Sequence, residues 1–133
     1  VSRLILQHYL PRRAPIMAAN LRKAVEADIT VVMGTDAGNI GTLHGASIHR
    51  EMAAMAQAGV APMRILQAAT VNGAKALNRE NELGALRPGL LADVIVLNAD
   101  PLQDMVNLAA LHRVIKDGVV FDPDELMRDA ATP

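Results

Sequence analysis

The stretch I-T-V-V-M-G-T-D-A-G, residues 29–38, sets an unbroken apolar run against an abrupt polar end. Such a run predicts a strand buried on both faces, with a carboxylate at its C-terminal lip. The two-residue period of a strand sorts its side chains into two sets. Ile29, Val31 and Met33 point one way; Thr30, Val32, Gly34 and Asp36 point the other. The second set is smaller and ends in the acid. In a parallel α/β sheet or barrel, that end of a strand is where sites are built.

Outward from this strand, the bulk numbers set limits. A chain of 133 residues suits about one domain. It is 51% apolar but only 2% aromatic, so its core is aliphatic and methionine-based. A net charge of −1 gives no electrostatic case for nucleic acid or an anionic membrane. With no cysteine there is no disulfide, thiolate metal site or cysteine nucleophile. This fits a reducing, cytoplasmic setting. No apolar run reaches the roughly 18 residues of a membrane span. Val1 is no initiator methionine, and the first residues lack the order of a signal peptide, so the chain reads as beginning inside something longer.

Before the strand, residues 1–10 fit a short helix or a strand equally. Pro15 suits the first turn of a helix running to about Asp28, with Met17, Leu21, Ala24 and Val25 on one face. Helix then strand is half of a βαβ repeat. After the strand, Gly34, Gly38, Gly41 and Gly45 make a loop that allows close approach of a ligand. It lacks both phosphate-loop spacings, which leaves an anion-binding module as a weak rival. A helix over 46–58 carries Ile48, Met52, Met55 and Ala56, and Gly59 ends it. Pro62 opens the next helix, which Thr70 divides into two short ones. Around residue 80 helices give way to short strands, a subdomain boundary. V-I-V-L at 94–97 is a strand, Asp104 to Ala110 a short helix, and 114–121 a hairpin turning at Asp117-Gly118. The tail from Pro123 reads as frayed.

Asp36 is the leading functional residue; a carboxylate there can bind a divalent metal or take a proton from a metal-bound water. The bland alternative is a loop-stabilising aspartate. His44, in the glycine loop, can face a pocket. His49 reads as an interior hydrogen-bonding residue, and His8 and His112 as structural. Ser47 lacks a nucleophile elbow. Asp122, Asp124 and Glu125 read as a solvated face. One aspartate and two loop histidines fall short of a zinc site, which takes three or four protein ligands.

Taken in order, G-T-D-A-G (34–38), H-G-A-S-I-H-R-E-M (44–52), P-M-R-I-L-Q-A-A-T-V-N-G-A-K-A-L (62–77), L-G-A-L-R-P-G-L-L-A-D-V-I-V-L (83–97) and V-I-K-D-G (114–118) resemble the C-terminal part of the metal-dependent amidohydrolase superfamily, in its imidazolonepropionase-like and prolidase-like branch. The resemblance implies an α/β fold: the end of a (β/α)8 TIM barrel over 1–80, with 29–35 as its last strand, and strands of a small β-sandwich over 81–133. It implies a hydrolase of amide-type C–N bonds in a small-molecule amide or peptide. Asp36 would be metal ligand and general base toward a metal-activated hydroxide, and His44 would lie near substrate. The cofactor would be one or two divalent ions, zinc foremost. Asp93 would hold a structural turn. The family's paired H-x-H, bridging residue and later histidine ligands have no counterpart among these residues, so the remaining ligands lie outside the chain. The expectation is therefore a hydrolase fragment, inactive alone. It would associate with itself or with the missing N-terminal part. The alternative is a degenerate chain serving only as an assembly piece.

Overall fold

The computed structural model describes residues 10–38 and 42–130. The expectations on residues 1–9, His8 and Gly41 lie outside the described residues. Helix α1 runs Leu10–Glu26. It begins earlier than the proline suggested, so Pro15 sits inside it and not in its first turn. A proline there removes one hydrogen bond, and continuous helix on both sides absorbs the loss. Leu21 and Val25 pack on the core. Met17, of the same stripe, is 65% exposed, because the helix outreaches the core beneath it. Arg22 Nη1 donates to the Ala58 carbonyl at 2.9 Å and ties α1 to the next helix. The end of α1 is a Schellman motif: Asp28 has a left-handed φ of 54°, its N–H reaches Val25 O, and Ile29 N–H reaches Ala24 O.

Residues 29–36 emerge from this cap extended but join no sheet. The expected strand buried on both faces is corrected here: Val31, Met33 and Thr35 are half-buried, while Thr30, Val32, Gly34 and Asp36 are exposed. Ile29 is 61% exposed, so burial on the inner set starts only at Val31. The alternation is the one strand period demands. The second face is bare because the strands of the described residues lie at 94–121 and pair with one another. The extended segment is held instead by helices. Met33 N–H donates to Ala68 O at 3.1 Å, and Asn72 Nδ2 donates to Val31 O at 2.9 Å.

Helix α2 (Ser47–Gln57) buries Met52 and Met55. It closes in a second Schellman motif, with Gly59 N–H on Ala56 O, Val60 N–H on Met55 O, and φ +87° at Gly59. Helix α3 (Pro62–Ala69) starts on its proline and buries Ile65 completely. Thr70, at φ −126° and ψ −94°, breaks it from α4 (Val71–Ala76). The expected division is therefore present, but Thr70 caps neither helix with its side chain; Oγ1 donates back to Leu66 O at 2.7 Å.

Strands β1 (Val94–Leu97), β2 (Leu111–Lys116) and β3 (Val119–Phe121) form an antiparallel sheet in the order β1-β2-β3. Ile95, Val114 and Phe121 are in line across it, as are Val94, Ile115 and Val120. The β1–β2 register skips His112, a bulge. Between β1 and β2, a 3-10 turn (Met105–Ala109) starts at Asp104, whose carboxylate accepts from Val106 N–H at 2.9 Å. The core joins Met52, Met55, Val60, Ile65 and Ala68 to Met105 and Leu108, so it draws on both sides of residue 80. It is the aliphatic, methionine-based core that the composition implied.

Two expectations about the end of the chain are corrected. Pro123–Ala130 forms helix α5 rather than a frayed tail. Asp122 caps it, accepting from Asp124 N–H at 2.9 Å, and pairs with Arg113 at 3.2 Å, so it is no idle member of a solvated acidic face. Asp-Pro followed by two acids is a helix start, with negative charge at the positive end of the helix dipole.

Gly84 joins the two halves. Its φ is +91°, and a Cβ there would lie 2.6 Å from Ala74 Cβ and 3.2 Å from Thr70 O. Gly84→Ala is therefore expected to destabilise the chain by about 2–4 kcal/mol, combining a left-handed alanine with overpacking. Thermal or urea unfolding measures this, and an unchanged midpoint would contradict the packing described. Ile65→Ala should lower stability by about 2–5 kcal/mol in the same assay.

Candidate active-site end of the extended segment

Asp36 stands where the extended run ends, on its exposed parity, with a left-handed φ of 50°. A non-glycine residue in that region is held there by its surroundings. The surroundings are visible on both sides. Met33 is fixed to Ala68 three residues before, and Gly38 N–H donates to Thr42 O at 3.0 Å two residues after. Gly38 itself has φ +100°, and a Cβ there would meet His44 Nε2 at 3.4 Å. The exposed imidazole of His44 thus rests on the turn that follows Asp36, so the structure brings these two predicted residues to one loop.

A cavity of about 290 Å³ opens beside them, lined by Met33, Gly34, Thr35, Gly45 and Ile48. Another, of about 270 Å³, lies at the opposite end of the segment, among Asp28, Arg64, Gln67, Asn72 and Lys75. Asp28 and Arg64 are paired there at 3.1 Å. Neither Asp36 nor His44 lines it.

The other candidates separate from this locus. His49 is exposed on α2, not interior as expected, because it faces away from the Met52 and Met55 stripe. His112 occupies the bulge of β2, exposed. Ser47 is buried at the start of α2. Among the described residues no three His, Cys, Asp or Glu side chains come together as a metal site. The donor set among the described residues does not fit a complete metal centre, since Asp36 belongs to no group of three such side chains.

Two residues hold this segment, the first of them missed from sequence and the second expected as a helix break. Asn72 supplies a side-chain bond to the extended segment, and Thr70 breaks the helix that would otherwise have used Ala68 O internally. A polar Asn inside T-V-N-G-A, where helical periodicity calls for core, was the available signal for the first.

Asp93 holds a turn, but not the Pro88-Gly89 turn of its own motif that the resemblance implied; it holds the β2–β3 turn. Its carboxylate accepts from Asp117 N–H at 2.8 Å and from Lys116 Nζ at 3.0 Å, while Gly118 N–H reaches Ala92 O. With φ of 51° and 79° at Asp117 and Gly118, this is the left-handed pair that a two-residue hairpin needs. The Asp117 amide first, and Lys116 second, hold the Asp93 carboxyl below its ordinary range.

Residues 12–121 match the amidohydrolase family. The imidazolonepropionase of Geobacillus kaustophilus (strain HTA426) is 34% identical over 111 residues, 80% of this chain and 26% of that protein. A Xaa-Pro dipeptidase crystallised with methionine in its active site superposes with a TM-score of 0.70 at 33% identity, over 79% of this chain and 25% of that one. Molinate hydrolase superposes with a TM-score of 0.74 at 32% identity, over 86% and 29%. The chain belongs to the amidohydrolase family, in its imidazolonepropionase-like and prolidase-like branch. It spans about a quarter of the length of these relatives.

The Asp93 clamp has a pH consequence. Because the folded carboxyl titrates below its unfolded value, its contribution is present above the unfolded pKa and is lost as pH falls through the folded one. Melting curves from about pH 6 to pH 2 should show the wild type losing more Tm than Asp93→Asn, with the difference confined to the region below about pH 4. Parallel losses would mean that the clamp is not ionic.

Proposed function

We propose that this chain carries the end of a (β/α)8 barrel, with 29–35 as its last strand, and the adjoining strands of a small β-sandwich, divided near residue 80. In this reading it contributes Asp36, as metal ligand and general base, to a hydrolase of amide-type C–N bonds in a small-molecule amide or peptide. The metal is divalent, with zinc the foremost candidate, and its other ligands come from outside these residues. The observation that carries the reading is the parity of Asp36. The carboxylate ends the exposed set of an extended segment whose other face is packed, within G-T-D-A-G, in a chain of the amidohydrolase family. A face left bare on a β-branched run is suited to neighbouring strands, and the acid at its end would then face whatever those strands enclose. In this reading His44, on the adjoining turn, contacts substrate.

In the assembled hydrolase, Asp36→Asn should leave the circular dichroism spectrum intact and lower kcat on the order of 10²–10⁴-fold, the range for loss of a general base. Undiminished turnover would sink the assignment.

A second reading is favoured by the want of any cluster of three metal-binding side chains among the described residues: the chain by itself has no catalysis and acts as a structural or assembly piece. After dialysis against zinc and then buffer, the purified chain should retain well under one equivalent of metal. Stoichiometric, tightly held zinc would refute this reading.

A further inference from the structure

We propose that Asn72 is a positioning residue for Asp36, acting through the backbone of the extended segment. The inference rests on Asp36 being the working carboxylate. A strand is normally aligned by hydrogen bonds from strands on either side. Among the described residues this segment has none, yet Asp36 is kept in a left-handed conformation. Alignment comes instead from the α3–α4 junction. In an unbroken helix Ala68 O would accept from residue 72 N–H. The break at Thr70 releases that carbonyl, which takes Met33 N–H, and it turns the Asn72 amide onto Val31 O. The two bonds grip residues 31 and 33, both on the packed parity, and so set the register and direction of the run that ends in Asp36. Asn72 suits this role because its side chain carries two donors on a short stem. An aliphatic residue would pack there but leave Val31 O unbonded. The Asn72–Val31 bond is part-buried, where a lost partner is not fully replaced by water.

The test uses Asn72→Ala in the 133-residue chain, followed by NMR. Three signals are read: amide exchange at Met33, the φ-sensitive amide–Hα coupling of Asp36, and its carboxyl chemical shift. Exchange at Met33 should rise roughly fivefold, the factor that one ordinary net hydrogen bond carries. The Asp36 coupling and carboxyl shift should move, while amides of α4 such as Ala74 keep their protection. If Asn72 serves only α4, the α4 amides lose protection and the Asp36 signals stay as in wild type; that outcome overturns the proposal. Unchanged signals everywhere overturn it as well. Should the alanine variant fail to fold, Asn72→Asp keeps the shape, removes the donor at neutral pH and is read in the same way. The role of Asp36 itself is tested separately, by activity of Asp36→Asn, so either claim can fail alone.

Discussion

The hydrogen bond from Met33 N–H to Ala68 O is the contact on which the arrangement depends. It joins an extended segment without sheet partners to a helix that has been interrupted to receive it. A strand-like segment is ordinarily held by a ladder of bonds, each modest, on both edges. Here two bonds from one helix junction do that task, and Val31 and Met33 add apolar contact with the core. The cost lies at Thr70, where helix continuity is given up. Thr70 Oγ1, by donating to Leu66 O, keeps one of the freed carbonyls from being left bare.

The same junction anchors the rest of the chain. Gly84 presses against Ala74 and the Thr70 carbonyl, so the loop toward β1 closes over the break itself. Met105 and Leu108 of the 3-10 turn enter the core beside Met52, Met55 and Ile65. The sheet is then locked from the far side by Asp93, which binds the β2–β3 turn. The two motifs L-G-A-L-R-P-G-L-L-A-D and V-I-K-D-G, separated in sequence, meet in that one clamp. Residues on either side of position 80 thus share a single apolar core even though their secondary structure differs.

Local chemistry was legible where it is self-sufficient. The Gly59 cap, the β1 strand and the Asp117-Gly118 hairpin each depend on residues within a few positions, and each stands where the residues put it. The parity of 29–36 was legible for the same reason: a side chain's direction in an extended chain needs no partner. Burial was not, since Val32 can be covered only by neighbours, and it is 44% exposed without them. The helix start at Asp122-Pro123 was legible too, although the acidic and Ala-rich composition beyond it reads as frayed. Asn72 was hidden for a different reason. Its role depends on a non-local meeting of the α3–α4 junction with residue 31; periodicity marks the polar residue as out of place but does not name the partner it meets.

The bare face bears on what Asp36 can do here. I-T-V-V-M-G-T carries no charge and no proline, the devices that protect an exposed strand edge. A segment so composed is built to be covered, and its outward set of Thr30, Val32 and Gly34 is small enough for close neighbours. A carboxylate on open surface acts as one charge in water and is screened by salt. The same carboxylate at the mouth of an enclosed barrel sits in lower dielectric, where a cation or a proton is bound far more strongly. Covering strands would therefore change the chemistry of Asp36 without moving it, because the bonds at Val31, Met33 and Gly38 already fix the backbone around it. On the reading proposed for Asp36, the chain's own helices set the direction of the acid, and a surface closing over the segment would set its reactivity.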